Sequence, residues 1–132
     1  MTVTTYSDTW GFWDKLLGVG TRNYVYASVG ASTTTTVYTC PSGKKAYVVA
    51  IATNTSPHNW AANLNVKDSG GTLMFSVTFW TQNVGDTNSR VTTGINQVVQ
   101  LLELQAGDYI EIANINSSTS FNISLLIYEV SA

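Results

Sequence analysis

Charge is what this sequence has least of. Of its 132 residues only 8 are Asp or Glu and 6 are Lys or Arg, so 11% are charged, against a usual share of about 25%. With a net charge of −2 there is no basic footprint for a polyanion, and Lys44-Lys45 is the only basic doublet. Nucleic acid is therefore not an expected partner. A single His and a single Cys leave no material for a disulfide within the chain, and little for a metal centre or a His-based relay. No apolar run approaches the roughly 18 residues that a membrane-spanning helix needs. The first residues, Met1-Thr2-Val3-Thr4-Thr5-Tyr6, have neither the basic nor the apolar stretch of a secretory signal. Synthesis in a cytoplasm is the expectation, without membrane partners. The sequons at Asn54-Thr55-Ser56, Asn116-Ser117-Ser118 and Asn122-Ile123-Ser124 are read as chance in a chain so rich in Asn, Ser and Thr.

What is present favours a packed β domain. Hydrophobic residues make up 44% and aromatics 11%, enough to bury a core without staples. The polar remainder is Thr, Ser and Asn, which suits strands and turns better than solvated helices. The chain divides into an arm, residues 1–22, and a domain, residues 23–132. The arm carries Trp10, Phe12, Trp13, Leu16 and Leu17. An N-cap at Ser7 or Asp8 would allow a short helix there, too short to be stable undocked.

From Tyr24 onward strands follow one another. Tyr24 to Val29 and Thr34 to Thr39 are β-branched and aromatic, and Cys40-Pro41-Ser42-Gly43 turns the chain into Lys45 to Thr53. Trp60, Ala62, Leu64 and Val66 alternate with Ala61, Asn63, Asn65 and Lys67, as in a half-buried strand. Asp68-Ser69-Gly70-Gly71 reverses it, and Leu73, Phe75, Val77 and Phe79 are expected on one face of the return strand. Residues 91–104 fit a helical stripe or a strand; the near absence of charge favours the strand. Ala106-Gly107-Asp108 turns into Tyr109 to Ile115, with Ile110 and Ile112 inward, and Phe121, Ile123, Leu125 and Ile127 alternate to the end. The reading is an all-β antiparallel sandwich, a jelly roll of about eight strands.

Alternation fails in two places. Ala46 to Ala52 and Leu125 to Tyr128 are apolar or small on both faces, where a sandwich strand normally offers one face to water. The arm, a long loop or another subunit must cover the outer side. Subunit contact is the favoured reading, through Tyr47, Val48, Val49, Leu126 and Tyr128.

Sites for chemistry are scarce. His58 sits in a turn-like loop without an orienting carboxylate or nucleophile in any motif, and Cys40 reads as a small buried side chain rather than a reactive thiol. Glu103, Asp108, Glu111 and Glu129 fall at strand ends or on outward positions, a poor basis for an acid/base pair. The Asn-rich loop from Asn83 to Asn88 does not have the spacing of a calcium loop. Trp60, Trp80, Tyr109 and Tyr26 could stack on sugar rings, although packing is the favoured role for each. No enzymatic activity, metal or cofactor is expected.

Two stretches carry a resemblance. Thr36-Val37-Tyr38-Thr39-Cys40-Pro41-Ser42-Gly43-Lys44-Lys45-Ala46 resembles a motif of small virion proteins of tailed bacteriophages, in which a strand ending in Tyr-Thr-x-Pro-x-Gly-Lys precedes an apolar strand and an Asn-rich loop. Leu102-Glu103-Leu104-Gln105-Ala106-Gly107-Asp108-Tyr109-Ile110 is similar to the Leu-x-x-Gly-Asp-x-Ile turn of the same proteins, found also in trimeric jelly rolls of the tumour-necrosis-factor and complement-C1q type. The resemblance spans about residues 33 to 130; the arm matches no family pattern. It implies a β-sandwich virion component without enzymatic activity, often a homotrimer, located in the virion and bound to the major capsid protein or another virion protein. A chain without collagen-like or coiled-coil shaft repeats suits a capsid decoration (cement) protein. Its arm would anchor through Trp10, Phe12, Trp13, Leu16 and Leu17. A tail-fibre or spike tip that binds a receptor glycan is the alternative.

Overall fold

The computed structural model describes residues 19–54, 60–84, 90–95, 102–117 and 120–132. Among these residues nine strands run in chain order: β1 (Gly20–Val29), β2 (Thr34–Thr39), β3 (Lys44–Asn54), β4 (Trp60–Lys67), β5 (Leu73–Val84), β6 (Arg90–Ile95), β7 (Leu102–Leu104), β8 (Tyr109–Asn114) and β9 (Phe121–Ser131). They form two antiparallel sheets, ordered β1-β9-β3-β7 and β2-β8-β4-β5-β6. β1 pairs with β9, β2 with β8, β3 with β7 and β4 with β5. These nested pairs are one long hairpin rolled over on itself, which is the jelly-roll path. β6 is an addition on the free edge of β5.

The described parts of 91–104 are strands, in keeping with the charge argument; residues 96–101 lie outside the described residues. β1 begins at Gly20, ahead of the expected domain boundary at 23. The short helix expected in the arm falls outside the described residues.

Period-two burial builds the core. Ala62, Leu64 and Val66 from β4, Ile110 and Ile112 from β8, and Ile123, Leu125 and Ile127 from β9 are buried between the sheets. Each fully buried aliphatic side chain of this size contributes about 1.5–3 kcal/mol. Three β-bulges break the period. In β3 the pairing with β9 steps from Val48↔Ile127 to Ala50↔Leu126, so Val49 is an extra residue. The inward set therefore jumps from Val48 to Ile51, and this accounts for the lost alternation of Ala46 to Ala52. In β5, Val66 faces Phe75 while Lys67 faces Leu73, so Met74 is extra. Phe75 and Val77 pack inward as expected, but the bulge turns Leu73 out, to 54% exposure. The third lies in β2, between Thr36 and Tyr38.

Candidate interaction surface

The two sheets present different outer faces. On the β8-β4-β5 side the outward residues bond to one another across the strands. Thr78 Oγ1 donates to Asn63 Oδ1 at 2.8 Å, and Ser76 Oγ donates to Asn65 Oδ1 at 2.7 Å. Lys67 pairs with Glu111, whose hydrogen bond pushes the Lys67 pKa up. Neutral hydrogen-bonding groups and this ion pair thus cover the middle of the face, while Leu73 and Met74 are exposed at its end.

The β1-β9-β3 side is more aromatic, with Arg22, Ser28, Ser124 and the Lys45–Glu103 pair among its outward residues. Val25, Ala27 and Val29 of β1 turn towards the core, so Arg22, Tyr24, Tyr26 and Ser28 turn outward. Tyr24 is 69% and Tyr26 66% exposed. Across the ladder Tyr24 faces Leu126 and Tyr26 faces Ser124, and β3 continues these rows with Ala50 and Ala52. Further along, Arg22 faces Tyr128, which faces Tyr47. Tyr128 and Val130 form a second buried cluster with Tyr47, Val49 and Leu126 packed against it.

Gly20 belongs to this cluster. A Cβ there would lie 2.3 Å from the Glu129 carbonyl oxygen and 2.8 Å from the Tyr128 ring, so only glycine admits this approach.

The five residues expected at a subunit contact therefore part company. Val48 is not on that face: it is 1% exposed and packs between the sheets, because it precedes the bulge. Tyr128 does lie on the outer face, but it is already buried within the single chain, at 1% exposure. Tyr47, Val49 and Leu126 are half-buried around it. The arm residues Trp10, Phe12, Trp13, Leu16 and Leu17 lie outside the described residues, as do His58, the loop 85–89 and the side chains of Trp60 and Trp80. Tyr24 was not singled out from the sequence. Its signal was the shared parity with Tyr26, masked by the apolar residues between and beyond them.

The two stretches that carry the virion resemblance meet at one end of the sandwich. Cys40 N–H donates to the Asp108 carbonyl at 2.8 Å, and Gly107 N–H donates to the Cys40 carbonyl at 2.9 Å. Gly107 has a φ of 89°, open to glycine, and Asp108 Oδ2 accepts from Gln105 N–H at 2.8 Å to close the turn.

Cys40 is 2% exposed and its thiol donates to the Lys44 carbonyl at 3.4 Å. Burial pushes the thiol pKa up, with the carboxylates of Glu129 and Asp108 adding to it, which keeps the sulfur protonated and unreactive. Tyr38, beside it, is 7% exposed, and among the described residues its hydroxyl meets no oxygen or nitrogen partner, only the weakly accepting Cys40 sulfur. Burial first, then the charge of Glu129 and the Cys40 sulfur, push its pKa far above the ordinary phenol value.

The carboxylates serve structural bonds. Glu103 pairs with Lys45 at 3.7 Å, Glu111 with Lys67, and Glu129 accepts from Asn23 Nδ2 at 3.0 Å. Among the described residues, no group of three His, Cys, Asp or Glu side chains is placed to hold a metal ion. Asn114, which the sequence reading passed over, is 3% exposed and donates from Nδ2 to the Val29 and Gly30 carbonyls, each at 3.2 Å. It ties β8 to the corner between β1 and β2. Set against known proteins, the chain matches no family model, no curated sequence and no solved structure.

Proposed function

We propose that this chain is a non-enzymatic structural component of a bacteriophage virion, a capsid decoration protein that stabilises the shell by clamping its neighbours. The observation that carries the reading is the exposed aromatic pair on the β1-β9 face: polar side chains bond across the strands of the opposite face, whereas Tyr24 and Tyr26 stand about two-thirds exposed beside Leu126. Apolar, weakly charged faces with aromatic centres are what protein contacts use. Trp10, Phe12 and Trp13 of the arm anchor the protein on the major capsid protein, and β1 leads directly out of that arm into this aromatic face. The homotrimer belongs to the same proposal and rests on the resemblance of the two turn motifs.

The test is particle location and copy number. Immunogold micrographs of virions made with the chain should label the capsid at regular sites. A Trp10→Ala/Phe12→Ala/Trp13→Ala variant should fold with the same circular dichroism but leave capsids bare. Label confined to tails, or full decoration by the variant, overturns the reading. The exposure of Tyr26 gives the glycan-binding tip its one support. A glycan array with hits that Tyr26→Ala removes would favour it.

A further inference from the structure

Among the described residues β1 is the end strand of its sheet, with β9 on one side only. An end strand presents a row of backbone N–H and C=O groups that match another strand, and proteins blunt such edges with Lys, Pro, bulges or short length. Among the described residues the other end strands are shorter: β7 has three residues, β6 has six, and β2 has six with a bulge. β1 runs for 10 residues without Pro and without a register shift against β9, and its one charge, Arg22, lies near its start. At the rise of a strand its edge is about 33 Å long. Beside it stand two tyrosines, each about two-thirds exposed.

We infer that two copies of the chain pair antiparallel through their β1 edges about a two-fold axis at Val25, joining two four-stranded sheets into one. The occupant of the edge is a second copy because the strand complements itself. An axis normal to the sheet keeps outer face beside outer face, so even-numbered positions must oppose even-numbered ones. Centred on Val25, Tyr24 opposes the partner's Tyr26 twice over, Asn23 opposes the partner's Ala27, and Arg22 opposes the partner's Ser28. Aromatic pairs directly opposite are the stabilising arrangement, and no like charges meet. The four tyrosines bring at most roughly 500 Å² of exposed surface to the contact, about a third of a standard interface, so the backbone hydrogen bonds of the paired strands carry most of the association.

The pairing is independent of the virion reading, and being two-fold it gives an even number of copies, alone or on top of a three-fold assembly. Light scattering of the full-length protein should give an even copy number. Tyr24→Lys/Tyr26→Lys places like charges opposite one another and should halve the mass, with dissociation at least about tenfold easier. Tyr24→Phe/Tyr26→Phe should keep it. An unchanged melting temperature in the Lys variant shows that the fold survives. A mixture of Tyr24→Cys and Tyr26→Cys chains should form cross-chain disulfides faster than either chain alone. A one-copy wild type, an odd copy number, or an assembly that the Lys variant leaves intact overturns the pairing, as do equal crosslinking rates. A chain that decorates capsids as a monomer sinks the pairing and the homotrimer, and spares the capsid location. One that dimerises but binds no particle does the reverse.

Discussion

Removing the hydroxyl of Tyr38 should stabilise this protein. The ring fills a place in the core and is 7% exposed, yet among the described residues its buried oxygen has no oxygen or nitrogen partner and meets only the Cys40 sulfur, a weak acceptor. Its neighbour Cys40 already donates to the Lys44 carbonyl. An unsatisfied buried hydroxyl costs about 1–3 kcal/mol, so Tyr38→Phe, which keeps the ring, should gain about 1 kcal/mol. For a domain of this size that raises Tm by about 3–5 °C. The urea midpoint should rise with an unchanged slope.

Alkaline pH gives a second, independent reading. In the folded state burial, Glu129 and Cys40 hold the phenol protonated, whereas in the unfolded chain it ionises near its ordinary value of about 10. The unfolded state then binds fewer protons than the folded one, so stability falls as pH rises past that value. Between pH 10 and 11 the advantage of Tyr38→Phe over wild type should grow by about 1 kcal/mol. A loss of stability in the variant would show that the hydroxyl has a partner. A difference flat in pH would show that the phenol ionises as freely in the fold as in the open chain. Either result refutes the reasoning.

Gly20→Ala should lower the urea midpoint and cost about 1–3 kcal/mol, because the added methyl meets the Glu129 carbonyl and the Tyr128 ring. The Tyr128 ring resonances in NMR should shift with it. Asn114→Ala should cost about 1–3 kcal/mol by leaving the Val29 carbonyl in the corner without its donor; a midpoint within error of wild type would show that water replaces the amide. Leu64→Ala, at a site with 0% exposure, should cost about 2–5 kcal/mol by chemical denaturation.

Local chemistry was legible and tertiary accommodation was not. Inward sets such as Ala62, Leu64 and Val66, or Ile123, Leu125 and Ile127, follow from period-two spacing alone. The turns at Pro41-Ser42-Gly43 and Gly107-Asp108 could be read because Pro, Gly and Asp act on their own backbone. That these turns bond to each other could not be read, since the contact joins residues 40 and 107–108. The bulges at Val49 and Met74 were hidden for the same reason. An extra residue in one strand is defined only by its partner strand, and nothing in Val48-Val49-Ala50 marks which residue is surplus. Val48 was therefore placed on the wrong face, and Leu73 on the inner one. Asn114 reads as an ordinary polar residue near the end of the strand Tyr109 to Ile115, because the carbonyls it binds lie 84 and 85 residues earlier.

The scarcity of charge has two separate physical causes, and they argue for different things. On the β4-β5 face, Asn63, Asn65, Ser76 and Thr78 satisfy one another, so that face meets water through neutral dipoles and needs few ions. A chain built only this way would be a plain low-charge monomer. The β1-β9-β3 face uses that solution only in part, through Ser28, Ser124 and the Lys45–Glu103 pair. It buries Tyr128 and Val130, half-buries Tyr47, Val49 and Leu126, and leaves Tyr24 and Tyr26 exposed on a strand that among the described residues is an edge. Neutral side chains were available to finish this face too, since the same strands carry Ser28 and Ser124 there. Where a sequence rich in Ser, Thr and Asn nevertheless places tyrosine on the longest of its described end strands, contact with another molecule explains the choice, and the need for a neutral surface does not.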